Sequence, residues 1–328
     1  MITTLRADIQ AVTPETFQEV ALSVFHYQSR TNHIYAQFLD LLQIKPTDVA
    51  QLTDIPFLPI GLFKQFHLQS GKWQANRTFT SSGTTGATTS RHLLRDPAWY
   101  VTNARRTFET VYGSLTDYTV LALLPAYLER TGSSLVFMAD DFIQASQRPN
   151  SGFYLDNLEK LTKVIDQELG AGNKVLLLGV SFALLDLAEQ FSAHYGDQLI
   201  VMETGGRKGR RRELTRPELH EILQNGLGVN QVHSEYGMTE LLSQAYAPRK
   251  GRFIPAPTLR AFTREVSDPL SLRSDSKTGA LNLIDLANVD TISFIATDDL
   301  GKVFPDGTFE VLGRMDASDT RGCNLLVG

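Results

Sequence analysis

A stretch rich in hydroxyl groups and glycine, Phe79–Ser90, contains the residues best suited to binding an anion. It holds five threonines, three serines and two glycines, and no apolar side chain larger than alanine follows Phe79. Backbone N–H groups of such a loop can converge on a phosphate, with hydroxyl groups as further donors. Loops of this composition are also common as linkers without chemistry, so both interpretations stay open. The stretch does not end in Gly-Lys-Ser/Thr, which disfavours a P-loop NTPase.

A second polar segment, Ser234–Glu240, follows a predicted strand at Val229–His233. It combines an aromatic ring, a glycine and a hydroxyl next to an acid. Tyr236 could lie against a purine, Thr239 could bond a phosphate oxygen, and Glu240 could hold Mg²⁺. The alternative for this segment is a turn with a surface acid.

A third polar segment begins where another predicted strand, Thr291–Ala296, ends. Thr297–Asp299 follows that strand directly, and Gly313–Asp316 comes shortly afterwards. A carboxylate at a strand end can accept hydrogen bonds from both ribose hydroxyls, and an arginine can reach an anionic or ribose oxygen. The two aspartates could instead be turn residues that cap a hairpin.

Composition restricts the class of protein. The 328 residues are 42% hydrophobic and 20% charged, which is ordinary for a globular chain of one large or two medium domains. A net charge of −5 argues against nucleic-acid binding, and no apolar run is long enough to predict a membrane span. A single cysteine and no recognisable signal peptide predict a cytoplasmic protein without an internal disulfide. The seven histidines lack ligand spacing, so a structural zinc site is not expected.

Hydrophobic periodicity predicts the elements that position these segments. Two N-terminal helices are predicted, one starting at Thr13-Pro14-Glu15 and one at residues 32–43. Apolar runs predict buried strands at 118–124, 174–180 and 198–202. Helices are predicted at 156–169, 182–191 and 215–223. Strands alternating with helices indicate a parallel sheet covered by helices. A β-hairpin through Asp306-Gly307 is predicted near the end of the sequence.

The order and separation of the three polar segments resemble the adenylate-forming enzyme superfamily. Thr80–Gly86 is similar to its phosphate loop, and Tyr236–Glu240 to its Tyr-Gly-x-Thr-Glu motif. Thr297–Asp299 resembles its Thr-Gly-Asp, with Asp298 in place of the usual glycine. Gly313–Asp316 resembles the Gly-Arg-x-Asp that leads into its hinge.

Within that superfamily the sequence most resembles the acyl-protein synthetase (LuxE-like) family of bacterial fatty-acid reductase systems. Pro56–Pro59, Phe63-Lys64 and Arg321-Gly322-Cys323 carry this closer resemblance. It implies an α/β fold like the large N-terminal domain of adenylate-forming enzymes, without most or all of the mobile C-terminal domain. The expected domains are an α/β body binding nucleotide and acyl group over residues 1–244, and a smaller β-rich subdomain over 245–328 that ends at the hinge region.

The resemblance also implies a reaction, in which a carboxylic acid such as a fatty acid and ATP give an acyl-adenylate and pyrophosphate with Mg²⁺ bound. Thr239 would bond the α-phosphate, Glu240 would bind Mg²⁺, and Asp299 would take the ribose hydroxyls beside Arg314. The other residues implied to hold ATP are Thr80, Ser81, Ser82, Gly83, Thr84, Thr85, Gly86, Gly205, Gly206, Tyr236, Gly237 and Met238. By the same analogy, Leu123–Tyr127 and Gly132–Ser134 are expected to line the acyl pocket.

Two features concern the chemical steps. The resemblance gives no C-terminal catalytic lysine, so Lys64, Arg91 and His92 are the candidates to neutralise the adenylate. In the resembling family a cysteine near the C-terminus takes the acyl group as a thioester, and Cys323 is the matching residue. A thiolate suits both attack on an acyl-adenylate and later release of the acyl group. The alternative for Cys323 is a small buried residue without chemistry.

Three functions remain open from the sequence. The first is an acyl-protein synthetase, with a reductase or carrier protein as acyl acceptor; the second is an acyl- or aryl-CoA ligase of the phenylacetate type. The third is a nucleotide-binding protein without catalysis. The basic run Arg207–Arg212 is either a solvated loop or a docking patch for an acidic partner or a phosphorylated carrier.

Overall fold

The computed structural model describes residues 2–81, 89–125, 132–155, 157–191, 193–205, 214–273 and 276–315. The chain forms two compact units. One unit combines Met1–Lys72 with Pro257–Gly328, and the other is the continuous segment Trp73–Ala256. Below, the first is called the split unit and the second the continuous unit.

The helices of the described residues are α1 (Ile2–Gln10), α2 (Phe17–Thr31), α3 (His33–Leu41), α4 (Leu62–Gln65), α5 (Pro97–Tyr112), α6 (Ser134–Ser146), α7 (Leu158–Gly170), α8 (Ser181–Gln190) and α9 (Arg216–Leu227). The strands are β1 (Leu58–Pro59), β2 (Arg77–Thr80), β3 (Arg91–Leu94), β4 (Tyr118–Leu123), β5 (Gly152–Phe153), β6 (Lys174–Val180), β7 (Leu199–Thr204), β8 (Val232–Tyr236), β9 (Ala245–Ala247), β10 (Arg252–Pro255), β11 (Leu259–Arg264), β12 (Leu272–Arg273), β13 (Gly279–Asp285), β14 (Phe294–Val303) and β15 (Phe309–Arg314). None of these helices is long and apolar enough to cross a membrane.

The sheet of the continuous unit has the strand order β5–β4–β6–β7–β8–β9–β10. The first five strands are parallel, and β9 and β10 join antiparallel. β4 and β6 are buried along almost their whole length, as their continuous apolar sequences predict. A capping box between Thr215 and Glu218 starts α9, as predicted. The predicted alternation of strands and helices is therefore confirmed.

β8 lies three residues further along the chain than expected. The prediction placed a strand at 229–233, whereas the structure has Val232–Tyr236. The reason is that α9 continues to Leu227 instead of ending at Leu223, so residues 228–231 are needed to connect it to the sheet. Tyr236 is consequently the last residue of β8 rather than part of the loop after it.

The sheet of the split unit is mainly antiparallel, in the order β12–β11–β13–β14–β15, and β1 adds to β14 in parallel. The predicted hairpin is present, with Val303 opposite Phe309 and the turn closed by the Phe304 N–H donating to the Thr308 carbonyl at 2.8 Å. Phe25 of α2, Tyr35 of α3 and Phe294 of β14 pack ring against ring in its core.

The two units do not follow the expected boundary at 244/245. Their boundaries lie at 72/73 and 256/257, and the N-terminal helices belong with the β-rich part. Gln28 of α2 explains why: its amide donates to the carbonyls of Asn288 and Val289, and its carbonyl accepts from the N–H of Ser293 at 3.0 Å. Asn32, the N-cap of α3, donates to the Thr291 carbonyl at 2.8 Å. No hydrophobic pattern predicts these long-range bonds.

Candidate active site

The hairpin of β2 and β3 holds both ends of the hydroxyl-rich loop. Phe79 is fully buried, with the ring centroids of Tyr100 and Phe137 5.0 and 5.8 Å away. Beyond the strands, the Ser81 N–H donates to the Ser90 carbonyl at 3.1 Å, and the Ser90 N–H donates to the Ser81 hydroxyl at 2.9 Å. The buried aromatic cluster therefore fixes where the loop leaves and rejoins the body.

Thr80 makes a close contact with Gly132, which lies two residues before the start of α6. Its N–H donates to the Gly132 carbonyl at 2.8 Å. A Cβ on Gly132 would lie 2.2 Å from the Thr80 hydroxyl oxygen, so this position requires glycine. The predicted phosphate-binding residues Thr80 and Ser81 are half-buried here. The others of that loop, Ser82 to Gly86, lie outside the described residues.

The Tyr236–Glu240 segment runs from the last residue of β8 into a turn. The Tyr236 ring is buried, with its centroid 5.7 Å from that of Phe253. The turn is closed by the Leu241 N–H, which donates to the Met238 carbonyl at 3.1 Å. Within it, Gly237 is exposed, Met238 and Thr239 are half-buried, and Glu240 is buried.

His92 of β3 is tied to this turn. Its Nδ1 lies 2.8 Å from the Thr239 carbonyl oxygen, so that nitrogen carries the proton and donates. The ring is fully buried, and burial lowers the pKa of His92 to about 4, although the Thr239 carbonyl favours the protonated form. The expectation that His92 neutralises an adenylate is therefore corrected, because the imidazole is uncharged at neutral pH. Its hydrogen bond joins the β2–β3 hairpin, which carries the hydroxyl-rich loop, to the Thr239–Glu240 turn.

A buried ion-pair cluster, which the sequence did not reveal, lies at the end of β7. Glu203 accepts from the Arg216 Nε at 3.2 Å, and His220 of α9 is 3.7 Å from the same oxygen. Burial by itself would raise the pKa of Glu203, but hydrogen bonding with His220 and the charge of Arg216 outweigh it and lower the pKa to about 2. The cluster holds α9 against the strand that leads into Gly205, which is exposed.

A second buried carboxyl group lies on the opposite face of the sheet. Glu235 of β8 accepts a short hydrogen bond from the Thr204 hydroxyl of β7. Burial raises the pKa of Glu235 to about 7, the Thr204 bond acts in the other direction, and the nearby charge of Glu203 raises the pKa further. A Cβ on Gly237 would lie 2.5 Å from a carboxyl oxygen of Glu235, so glycine lets this carboxyl group sit against the start of the turn. The available signal in the sequence was an acid directly before the Tyr236-Gly237 pair.

The predicted ribose-binding residues belong to the split unit. Asp299 lies opposite Arg314 in the pair β14–β15, and the Arg314 Nε donates to its carboxylate at 3.1 Å. Asp299 is buried, whereas the Arg314 side chain is 62% exposed. The Thr297 hydroxyl accepts the Asp299 N–H at 3.2 Å and donates to the Leu281 carbonyl at 2.8 Å. The structure thus brings Asp299 and Arg314 together, and Asp298, in the unusual position, is exposed.

The remaining predicted residues divide into two groups. Lys64 of α4 and Arg91 of β3 are exposed cations. Gly206, the basic run Arg207–Arg212 and the ending with Asp316 and Cys323 lie outside the described residues. Their predicted roles therefore stay predictions.

The donor set of the described residues fits a magnesium ion that is held mainly by phosphate and water. Glu240 supplies one buried carboxylate in the turn. Over the described ranges, no three His, Cys, Asp or Glu side chains come together as a metal cage. Mg²⁺ is usually bound by one or two carboxylates together with substrate phosphates, so one acid is enough here.

No family model matches the sequence, and none of the curated proteins matches it. Solved structures do match the fold. ATP-bound MatB from Rhodopseudomonas palustris is 16% identical with a TM-score of 0.52, over 72% of this chain and 47% of that one. 2-Hydroxyisobutyryl-CoA ligase with 2-HIB-AMP is 10% identical with a TM-score of 0.64, over 91% and 68%. The luciferase-like enzyme of the mealworm Zophobas morio is 16% identical with a TM-score of 0.50, over 79% and 62%.

These matches establish the fold alone. The chain has the α/β fold of the N-terminal domain of adenylate-forming enzymes, as its sequence predicts. It spans about half the length of the MatB structures it matches.

Proposed function

We propose that the protein activates a carboxylic acid with ATP, forming an acyl-adenylate, and passes the acyl group to a protein thiol. The observation that carries the first step is the Tyr236–Glu240 turn, which follows β8 in a fold shared with structures that hold ATP or an acyl-AMP. The β2–β3 hairpin is connected to this turn by the hydrogen bond from His92 to the Thr239 carbonyl. This hydrogen bond links the strand that follows the first predicted phosphate-binding segment to the turn that contains the second, which supports the proposal.

The chain's own residues have defined tasks in this proposal. A carboxylate oxygen attacks the α-phosphorus, the bond to the β-phosphate oxygen breaks, and pyrophosphate leaves. Because both reactants are anions, neutral donors from Thr80, Ser81 and the rest of the loop are suited to the phosphates. Thr239 bonds the α-phosphate, and His92 fixes the Thr239 backbone. Bound Mg²⁺ would offset the phosphate charge, with Glu240 as its ligand.

Asp299, in the split unit, is assigned to the ribose hydroxyls because it is a buried carboxylate oriented by Arg314 and Thr297. Tyr236 is assigned to the base, with Gly205 and Gly206 beside it. Lys64 and Arg91 are exposed and remain the candidates for a cation that approaches the adenylate.

ATP–pyrophosphate exchange in the presence of carboxylic acids tests the activation step. We expect exchange to depend on the acid. We expect Glu240→Gln to lower the exchange rate by about 100-fold, because the proposed Mg²⁺ ligand is lost and with it the stabilisation of negative charge in the transition state. Glu221→Gln, on the exposed side of α9, is the matched control and leaves exchange unchanged. ATP binding without exchange for any acid would instead support a nucleotide-binding protein without catalysis.

The second step is transfer to Cys323, whose thiolate attacks the acyl carbonyl and expels AMP. With a radiolabelled acid, Cys323→Ser keeps pyrophosphate exchange but loses the covalent acyl label. Full labelling of that variant would exclude Cys323 as the acceptor.

A CoA ligase is the second candidate, because 2-hydroxyisobutyryl-CoA ligase, which shares the fold over most of this chain, has been solved with 2-HIB-AMP and CoA. A hydroxamate assay with and without CoA separates the two functions. Acyl-CoA formation would favour the ligase, whereas CoA-independent labelling of protein favours the synthetase.

A further inference from the structure

The contact between α5 and the strands β8 and β9 is unusually polar for the interior of an α/β unit. Helices normally cover a parallel sheet with apolar side chains. Here Asn103 of α5 is buried and donates to the Leu242 carbonyl at 2.8 Å and to the Ser243 hydroxyl at 3.1 Å. Tyr100, on the same helix, and Gln244, just before β9, are buried as well. Burying a polar side chain is costly unless it is hydrogen-bonded, so an unpaired one calls for a functional explanation.

Gln244 directs an unpartnered acceptor into this contact. Its Nε2 donates to the Tyr100 hydroxyl at 3.3 Å. The Tyr100 hydroxyl itself donates to the Ser134 carbonyl at 3.2 Å, so it can only accept from Gln244. This fixes the orientation of the Gln244 amide. The carbonyl oxygen Oε1 is then buried, and no described residue donates to it.

Tyr246 supplies a second unpartnered group. It is fully buried on β9, and its hydroxyl has no hydrogen-bond partner among the described residues. The rings of Phe108 and Tyr112 pack edge-on against it, with centroids 5.8 and 5.6 Å away. Burial, and then the charge of Glu235, raise the pKa of Tyr246 well above its usual value, so the phenol keeps its proton.

Glu235 joins these two side chains. It lies directly opposite Tyr246 in the pair β8–β9, so both side chains lie on the same face of the sheet. Gln244 approaches the same point, since a Cβ on Gly237 would touch both the Glu235 carboxyl oxygen at 2.5 Å and the Gln244 Cγ at 3.7 Å. The three residues therefore form one buried polar cluster beside Gly237, two residues before Thr239.

The cluster also adjoins a segment expected to line the acyl pocket. Through Tyr100 it is bonded to Ser134, and Gly132 of that segment accepts from Thr80. A ligand that has its carboxylate near Thr239 would thus have its next carbon atoms near the cluster. Gln244 Oε1 can only accept a hydrogen bond, and Glu235 accepts in its ionised form, so the complementary ligand group is a donor. The methylene groups of a plain fatty acid would leave Gln244 Oε1 and the Tyr246 hydroxyl without partners.

We infer that Glu235, Gln244 and Tyr246 form a specificity subsite for a hydroxyl or amino group carried near the carboxylate of the acid substrate. An amino group has enough N–H bonds to donate to both Gln244 Oε1 and Glu235, whereas a hydroxyl group donates to one of them and can accept from the Tyr246 hydroxyl. This inference rests on the proposed activation of a carboxylic acid and changes the expected substrate class from unsubstituted fatty acids to substituted acids.

Pyrophosphate exchange with matched acids tests the inference. The panel contains unsubstituted, hydroxy-substituted and amino-substituted acids of equal carbon number, together with long-chain fatty acids. We expect kcat/KM for the hydroxy or the amino series to exceed that of the unsubstituted series by about 100-fold or more, because sites that hydrogen-bond a substrate group reject analogues lacking it. Which of the two series is preferred identifies the donor.

Gln244→Met removes the acceptor at nearly constant volume. It should reduce the preference for the substituted acid to less than about tenfold, while exchange with the unsubstituted acid is retained as the sign of a folded protein. Gln231→Met, at an exposed glutamine just before β8, is the matched control and keeps the preference.

Equal or better exchange with unsubstituted acids by the unchanged protein would overturn the subsite and leave the proposed activation standing. A preference that persists in Gln244→Met would also overturn it. Exchange with no acid of the panel would contradict the proposed function itself, and the subsite with it. Because the panel uses the unchanged protein, the inference is tested even where Gln244→Met does not fold.

Discussion

Burial decides what the charged and titratable residues of this chain can do. Glu203 and Glu235 lie on adjacent strands and are both buried, yet their pKa values move in opposite directions, to about 2 and about 7. Glu203 has Arg216 and His220 beside it, whereas Glu235 accepts from the neutral hydroxyl of Thr204. A cationic partner therefore keeps one carboxyl group ionised, and a neutral partner leaves the other close to titration at neutral pH.

Glu203→Gln tests the importance of the ion-pair cluster. We expect the free energy of unfolding to fall by about 3 kcal/mol, because the largely buried guanidinium of Arg216 loses the carboxylate it bonds. Urea unfolding followed by fluorescence measures the change. Glu221→Gln, an exposed acid on the same helix as Arg216, should stay within about 0.5 kcal/mol of the unchanged protein. A loss of similar size in both variants would contradict the assignment.

The difference in unfolding free energy between the unchanged protein and Glu203→Gln should also depend on pH in a defined way. The carboxyl group has a folded-state pKa of about 2 against an ordinary value of 4.5, so the folded form binds fewer protons than the unfolded one. Its contribution is therefore complete above pH 4.5 and is lost as the pH falls from 4.5 towards 2. The gap between the unchanged protein and Glu203→Gln should narrow over that range and remain constant above it.

Among the elements, the pairing of β3 with β2 sets the position of the Thr239–Glu240 turn through His92. This suggests a pair of variants. His92→Asn keeps an N–H donor near the Thr239 carbonyl, and pyrophosphate exchange should stay within about threefold of the unchanged protein. His92→Phe leaves that carbonyl without the donor and should lower exchange by about tenfold, the equivalent of one net hydrogen bond.

The pH dependence of the exchange rate distinguishes a neutral positioning residue from one that titrates, because a residue that only positions the turn adds no ionisation near neutral pH. Because the pKa of His92 is about 4, no step of the profile near neutral pH should disappear in His92→Asn. If a step near neutral pH does disappear, His92 titrates in the working range and is not simply a neutral positioning residue.

The sequence predicted those elements whose signals are local. β4 and β6 are uninterrupted apolar runs, the β14–β15 hairpin contains Asp-Gly, and α9 has its capping box. β2 and β3 were not predicted as strands, because each has only four residues and polar side chains make up at least half of each. Within β3 the alternation places Arg91 outside and His92 inside, and only the sheet partner decides which face is buried.

The candidate site was predicted in the same uneven way. Motif residues such as Tyr236 and Asp299 could be identified from the order of the polar segments. Glu235, Gln244 and Tyr246 could not, because their significance arises when two strands and a helix meet. A polar residue inside an apolar segment becomes informative only once its partners, or the lack of them, are known.

At the scale of the molecule, the split unit depends on bonds between segments far apart in sequence. Gln28→Met removes an amide that serves two carbonyls and one N–H on residues 288–293, and we expect a loss of about 3 kcal/mol, since buried groups are left unsatisfied. Hydrogen exchange should show lost protection in α2 and at residues 286–296, with β6 and β7 of the continuous unit unaffected.

Gln18→Met on the exposed side of the same helix provides the control and should change neither stability nor hydrogen exchange. Uniform loss of protection through both units in Gln28→Met would contradict the expectation that the loss of protection stays within the split unit.

The chain order of the two units has a consequence for synthesis on the ribosome. Helices α1–α3 are translated before the continuous unit, whereas Phe294 of β14, which packs on Phe25 and Tyr35, is translated after it. At usual translation rates this delay is on the order of ten seconds or more. Throughout that interval Phe25 and Tyr35 can contact each other but lack the ring of Phe294, so part of the apolar surface of these helices stays open to chaperones that bind apolar segments.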